Sequence, residues 1–408
     1  MQRELLNPLT MDRQTIDIAI LGGGLAGGLI ALALAEHRPE LSVMLVEQGG
    51  SLGGNHVWSF FGSDIAEIDL PLLQPMIARS WDGYDVHFEH HSRQLATPYR
   101  SITSERFDAH VRSALPESGI LTGACVTSAG QTGFTLADGT RFQAGGVIDA
   151  RGAASLPHMA GGWQKFAGQM LRLDSPHGLS RPIVMDARVE QIDGYRFVYC
   201  LPFSDREVFV EDTYYTDTPA LDLPALRGRI AEYAALQGWQ IRDVEREETG
   251  VLPVIAKGDF GALWHHGHQT GQLVAKAGAR AALIHPLTSY SLPVALRAAR
   301  HIAKLPDLSG AALAKASYDL ARQHWQQGGY YRMLTRMLFS AAAPEKRHRI
   351  LERFYRLPES LIERFYAGRS TRRDAIRILA GKPPVPVSAA IASVMGRGHP
   401  LASLDTGL

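Results

Sequence analysis

Apolar positions change their spacing along the chain, and each change predicts a different kind of element. Ile16 to Leu21 is a short unbroken β-rich run, and Leu29 to Ala35 is a run of strong helix formers. Leu41 to Val46 (LSVMLV) predicts a second buried strand. Phe134 to Phe142 reads as a hairpin turning at Asp138-Gly139, followed by a hydrophobic strand from Val147 to Asp149. Three strand-like runs follow, Ile183 to Val189, Tyr195 to Leu201 and Val208 to Tyr214, separated by turn signals that predict an antiparallel sheet. Val294 to Lys304 and most of Arg322 to Lys382 carry helical spacing.

One window invites a different reading. Ile16 to Ala35 is twenty residues long with a single charge, the length and polarity of a membrane span. Four of the six residues from Gly22 to Gly27 are glycine, however, which would weaken a helix at its middle. A buried strand, a glycine turn and a buried helix is the simpler account.

Composition narrows the class. Of 408 residues, 45% are hydrophobic and 20% charged, as in an ordinary globular protein of two to three structural units. The net charge of +1 excludes a bulk nucleic-acid binder. Two cysteines, Cys125 and Cys200, make no disulfide framework and have no metal-ligand spacing, which predicts a reducing cytosol. Met1 to Thr15 carries Arg3, Glu4, Asp12 and Arg13 without a sustained apolar core, unlike a secretory signal.

Between the first strand and the first helix lies a G-x-G-x-x-G at Gly22, Gly24 and Gly27. Such a turn brings a pyrophosphate against the backbone at a helix N-terminus, and the last glycine lets helix and strand pack closely. Glu47 ends the second strand 20 residues after Gly27, placed for the ribose hydroxyls of an adenosine. A second glycine-rich loop with Gly53 and Gly54, the strand ending Asp149-Ala150-Arg151-Gly152, and the hydroxyl-rich helix entry Pro286, Thr288, Ser289, Tyr290 and Ser291 follow in order. That order favours FAD over NAD. The predicted fold class is α/β: a discontinuous Rossmann-like FAD-binding domain (15–60, 95–160 and 270–305), an antiparallel-sheet substrate domain (61–94 and 161–269), and a helical C-terminal region (306–408).

With these elements in order, the chain resembles bacterial lycopene β-cyclases. The resemblance rests on GGGLAGGLIAL at 22–32, GGNHVWSF at 53–60, GYRFVYCLPFS at 194–204, FVEDTYY at 209–215, HPLTSYSLP at 285–293, HWQQGGYYRMLTRMLF at 324–339 and ERFYAGRST with RILAGKPPVPV in 363–387. It implies conversion of the open ψ-ends of lycopene into β-rings in carotenoid biosynthesis, through γ-carotene to β-carotene. This is an isomerisation, formally an intramolecular lyase step, that needs reduced FAD, with NAD(P)H as reductant. The wider flavoprotein group places an Arg three residues before a Phe-Asp pair. Here Ser104 holds that place, and Arg106, beside Phe107-Asp108, is the remaining candidate for the phosphate contact.

Protonating an unactivated alkene near neutral pH requires a carboxylic acid kept protonated in a desolvated cavity. The resemblance gives that acid/base role to Glu211. Strand alternation sends Glu211 and Asp212 to opposite faces, one toward a pocket and one away. A carbocation also needs a cage of aromatic faces. Trp58, Phe60, Phe61, Tyr195, Phe197, Tyr199, Tyr214 and Tyr215 are the candidates, with only two or three expected to face substrate. His56 and His285 read as structural members of cofactor loops. Trp264-His265-His266-Gly267-His268 has no carboxylate or Cys at ligand spacing and reads as a surface loop, so no metal site is predicted.

From Arg322 to Lys382 there are 14 Lys or Arg against 5 Asp or Glu, a net of +9. Ile350-Leu351-Phe354-Tyr355 and Leu361-Ile362-Phe365-Tyr366 repeat a Glu-Arg-Phe-Tyr tetrad, leaving apolar and basic faces, and the proline run 383–386 closes the segment. Basic amphipathic helices suit an anionic lipid surface, which predicts a cytoplasmic protein held peripherally on the inner membrane. A helical cap with solvated arginines is the alternative. Two other functions share the nucleotide motifs: a redox polyene hydroxylase or prenyl reductase, and a non-catalytic carotenoid-binding flavoprotein.

Overall fold

The computed structural model describes residues 16–153, 155–267, 273–381 and 386–405. The Met1–Thr15 segment, His268 of the histidine-rich stretch and residues 383–385 of the proline run lie outside the described residues.

Three parallel strands form the centre of the nucleotide layer. β1 (Ile16–Leu21) lies between β2 (Val43–Val46) and β3 (Arg141–Asp149), with helix α1 (Leu25–His37) crossing from β1 to β2. The hairpin at Gly133–Leu136 runs into β3, and Ala275–Lys276 adds a parallel strand on β3. Nearly every residue from Leu25 to Leu34 is buried. That explains the resemblance of this window to a membrane span: α1 is enclosed between sheet and helix, so it has no polar side. Glycine makes the turn: Gly22 has φ +105°, and a Cβ at Gly27 would sit 1.9 Å from the Gly22 carbonyl.

The second sheet contains two long strands that alternation did not reveal. β4 (Met159–Leu173) is central, flanked by β6 (Glu207–Thr216) and β7 (Ile241–Gly258), with β5 (Tyr195–Pro202) beyond β6. Ile183–Asp186, Tyr84–Phe88 and His91–Leu95 continue the sheet outward. β4 is buried on both faces for most of its length, so it lacks the period-two signature. One face of the sheet packs on helix α2 (Leu223–Leu236) through Val198, Val208, Val210 and Tyr214. A three-stranded sheet (Val57–Phe61, Tyr99–Thr103 and Ile77–Trp81) lies between the layers.

The helix α3 (Leu292–Ala303) packs on α1, and α4 (Gly310–Gln327) and α5 (Gly329–Ala341) lead into the cap. A Cβ on Gly162 would come within 2.0 Å of the Phe339 ring, so α5 lies directly on β4. The two tetrads fall in α6 (His348–Phe354) and α7 (Glu359–Tyr366) and the turn residue that follows α6. Their apolar side is spent on the sheet: Phe354, Tyr355, Leu361, Ile362 and Phe365 are buried in one cluster with Tyr195, Phe197 and Tyr215. These helices form the cap. Fully buried Arg347 fastens it, with Nη2 donating to both Asp217 oxygens at 2.9 Å and its guanidinium 4.5 Å from the Phe339 ring centre. The outer helices α8 (Arg372–Leu379) and α9 (Val387–Val394) leave Ile376, Leu379 and Ile391 exposed.

The histidine-rich stretch is corrected in one respect. Phe260–His265 is a helix, not a surface loop, because Trp264 is fully buried with the Lys276 ammonium 5.3 Å from its ring centre. Among the described residues no cluster of His, Cys, Asp or Glu is arranged to hold a metal ion.

Candidate active site

A cavity of about 380 Å³ runs from the glycine turn to the second sheet. Gly24, Leu25 and Ala26 line one end, with Ala150, Gly278 and Ala279 beside them, and Thr288 to Leu292 enter from the start of α3. The far wall is the face of the second sheet opposite α2. Cross-strand register explains its composition. Tyr199, Glu211, Gly168 and Glu248 form one row across β5, β6, β4 and β7, with Phe197, Thr213, Phe166 and Gly250 in the next. Residues two apart share a face, so Tyr195, Phe197, Tyr199, Phe209, Glu211 and Tyr215 all line the cavity. Leu351, Phe365 and Tyr366 of the cap close it.

Glu211 is the acid this wall presents. Burial pushes its carboxyl up to about 8; the neighbouring Glu248 charge adds to the rise, and a Thr213 hydroxyl donating to Oε1 at 2.6 Å opposes it. The little surface it retains is cavity surface. Its neighbour Asp212 lies on the other face as alternation requires. There Oδ1 accepts from Arg196 Nε at 2.7 Å and Oδ2 from the Tyr214 hydroxyl at 2.5 Å.

This raised acidity has a stability consequence. In the window from the ordinary carboxylate range to about pH 8, the unfolded chain has lost this proton and the folded chain keeps it. Glu211 therefore contributes stability that is complete at low pH and lost as pH rises through that window. Glu211→Gln is expected to gain on the wild-type protein in urea midpoint between about pH 5 and pH 8. An unchanged difference would mean that the carboxyl is solvated.

Six of the eight candidate aromatics line the cavity: Trp58, Phe61, Tyr195, Phe197, Tyr199 and Tyr215. Phe60 belongs to the nucleotide core and Tyr214 to the α2 face.

The nucleotide residues have distinct placements. Gly24 has no atom within 4 Å of where a Cβ would stand. Gln164 Oε1 and Thr288 Oγ1, both on the cavity, are buried without a hydrogen-bond partner among the described residues, and the Tyr290 hydroxyl faces Asp64. Open backbone at a helix N-terminus and orphaned polar atoms along one channel fit a dinucleotide with a polar ring system. Glu47 accepts from the Gly23 and Gly49 N–H groups at 2.8 and 2.7 Å, joining the two glycine loops. Gly53 and Gly54 have φ of +78° and +63° in the second loop, outside the cavity lining. Asp149 lies just behind the lining, gripped by Arg151 at 2.9 and 2.8 Å. Ser289 and Ser291 line the cavity; Pro286 instead borders a smaller void and accepts from Ile255 N–H at 2.9 Å. Arg106 is outside the lining, with its guanidinium on the Ile77 carbonyl. A different guanidinium, that of Arg246, reaches Ser104, at 3.4 Å.

His285 is buried and held to about 3 by burial, its Nδ1 accepting from the Leu287 and Thr288 N–H groups, a loop-structural role. His56 is placed differently: it lines the cavity, with Nδ1 2.9 Å from Glu248 Oε1. Glu248 had no sequence signal, because Arg246-Glu247-Glu248 reads as a solvated charge run.

The family profile described as "Lycopene cyclase protein" matches residues 17–392. The chain is 46% identical over 374 residues to lycopene beta-cyclase of Pseudescherichia vulneris, covering 92% of this chain and 96% of that protein. This chain belongs to the lycopene cyclase family. The lycopene beta-cyclase of Pantoea ananas is 42% identical over 379 residues, covering 93% and 98%. Similarity to solved structures carries the fold beyond the family. A geranylgeranyl bacteriochlorophyll reductase-like protein from Thermoplasma acidophilum aligns with a TM-score of 0.56 at 14% identity, over 94% of this chain and 99% of that one. A flavin-dependent brominase aligns at 0.57 and 15%, over 87% and 94%. This chain thus shares the fold of these proteins.

Proposed function

We propose that the chain is a lycopene β-cyclase that closes the ψ-ends of lycopene to β-rings without net oxidation or reduction. The observation that carries this reading is Glu211: a carboxylic acid pushed up to about 8 in an aromatic wall, on a cavity continuous with a dinucleotide turn. The Glu211 carboxyl gives its proton to the terminal double bond. The tertiary cation is then attacked by the adjacent alkene, and a ring hydrogen leaves. Tyr195, Phe197, Tyr199 and Tyr215 offer ring faces worth about 0.5–2 kcal/mol each to a cation and no strong nucleophile.

FAD is the cofactor this cavity suits. Gly22, Gly24 and Gly27 would hold the pyrophosphate at the N-terminus of α1, and the spare lone pairs of Glu47 the ribose. Thr288 to Ser291 would hold the polar edge of the ring system. When bound and reduced, it supplies electron-rich, negative character beside the hydrocarbon cation. NAD(P)H is the reductant class this implies, and no second G-x-G-x-x-G exists in the sequence to hold it.

The test is anaerobic incubation of the purified protein with reduced FAD and lycopene in liposomes. A product of unchanged mass with a β-ring absorbance spectrum supports the reading. A heavier or reduced product, with nicotinamide consumed in proportion, overturns it in favour of a hydroxylase or reductase.

A water-insoluble substrate must come from lipid. No helix among the described residues is long and apolar enough to cross a membrane. The surface suited to peripheral contact is α8 with α9, where Ile376 and Leu379 stand exposed among Arg372, Arg373 and Arg377. Ile376→Glu with Leu379→Glu is expected to weaken co-flotation with anionic vesicles at least tenfold. Unchanged flotation would move the contact elsewhere.

A further inference from the structure

A ring-closing reaction of this kind needs a base as well as an acid, and the cavity contains a second ionisable pair. Glu248 stands in the same cross-strand row as Glu211, with Gly168 of β4 between them. All three therefore project from one face. Gly168 has no side chain, and the Phe209 ring lies over it, 2.3 Å from where a Cβ would stand. Glu248 is buried, and both its oxygens accept: Oε2 from Val57 N–H and Oε1 from His56 Nδ1, each at 2.9 Å. An acceptor-only partner fixes the tautomer, because Nδ1 must carry the hydrogen and the lone pair is then on Nε2. The ring lines the cavity beside Trp58, their centres 5.8 Å apart.

We propose that His56 is the base that removes the ring hydrogen, and that Glu248 is the positioning residue that fixes its tautomer. This rests on the cyclase reading above. The step balances. Glu211 gives a proton to the inner carbon of the terminal double bond, leaving a tertiary cation on the dimethyl carbon, and the next double bond donates its electron pair to that cation, closing the ring. The C–H electrons at the ring-closing carbon then form the ring double bond as its proton passes to His56 Nε2. Proton exchange through solvent returns both groups to their starting states, and no oxidant or reductant takes part.

The position of the ring double bond depends on which hydrogen leaves, so a dedicated base fixes the product's regiochemistry. His56→Gln, given reduced FAD and lycopene, is expected to turn over about 10²- to 10⁴-fold more slowly. Its residual product should contain isomers with the double bond elsewhere in the ring. Added imidazole should restore part of the rate in His56→Ala. The wild-type rate should fall as pH rises through about 8, where Glu211 ionises, and His56→Gln should keep that fall. Glu248→Gln should move the alkaline fall in rate to lower pH, since the Glu248 charge helps raise Glu211. FAD absorbance and circular dichroism establish that each variant is folded. A folded His56→Gln with the wild-type rate, or a slow one with pure β-rings and no imidazole rescue of His56→Ala, overturns the proposal. If the wild-type protein itself forms no β-ring, the cyclase reading fails instead.

Discussion

Glu211→Gln is expected to abolish β-ring formation, with at least a 10²- to 10⁴-fold loss of rate, while FAD content stays at the wild-type level. The amide keeps the shape of the carboxyl and can still accept the Thr213 hydroxyl, so the wall around it is preserved. What it cannot do is deliver a proton to carbon. No other carboxyl shares its position: Asp212 faces α2, and Glu248 is already bonded through both oxygens. Wild-type activity should fall as pH rises through about 8, where Glu211 ionises. The measurement is β-carotene formed per bound flavin, and full turnover by the variant would remove Glu211 from the chemistry.

One residue along the strand, the expectation is reversed. Asp212→Ala is expected to destabilise the fold by about 3–5 kcal/mol, read as a fall in urea midpoint, because it leaves the Arg196 guanidinium buried without its carboxylate. Arg196 and Asp212 are 8% and 1% exposed, so water cannot replace the lost partner. Tyr214, which donates to Asp212 and accepts from Arg229 at 2.8 Å, loses its acceptor as well. The fraction of Asp212→Ala that remains folded should retain turnover per flavin. Two adjacent acids of one motif thus separate cleanly, one into rate and the other into stability. A stable but inactive Asp212→Ala would contradict the face assignment.

The parts of the site that sequence exposed are those whose signal is local. Gly22, Gly24 and Gly27 sit within one turn, and alternation alone separates Glu211 from Asp212. The rest depends on register between distant strands. Glu248 enters the cavity only because β7 pairs with β4 so that it falls opposite Gly168, and nothing in a charged run at 246–248 encodes that pairing. β4 escaped notice for a related reason: with both faces covered, it has neither the polar alternation of a half-buried strand nor the length of pure apolar residues that marks a parallel one. The tetrads of α6 and α7 were legible as amphipathic helices, but amphipathicity does not say what the apolar side meets. Here it meets the sheet and the cavity, not lipid.

The cap over the cavity has a further consequence for traffic. Each chain offers one Glu211, yet lycopene has two identical ends. For one chain to close both ends, a pigment with its first ring would have to leave the cavity that Leu351, Phe365 and Tyr366 line, turn end for end and return. The half-finished molecule would then be a free passenger between visits. How often both termini are finished should depend on how crowded the surrounding bilayer is with fresh competitors.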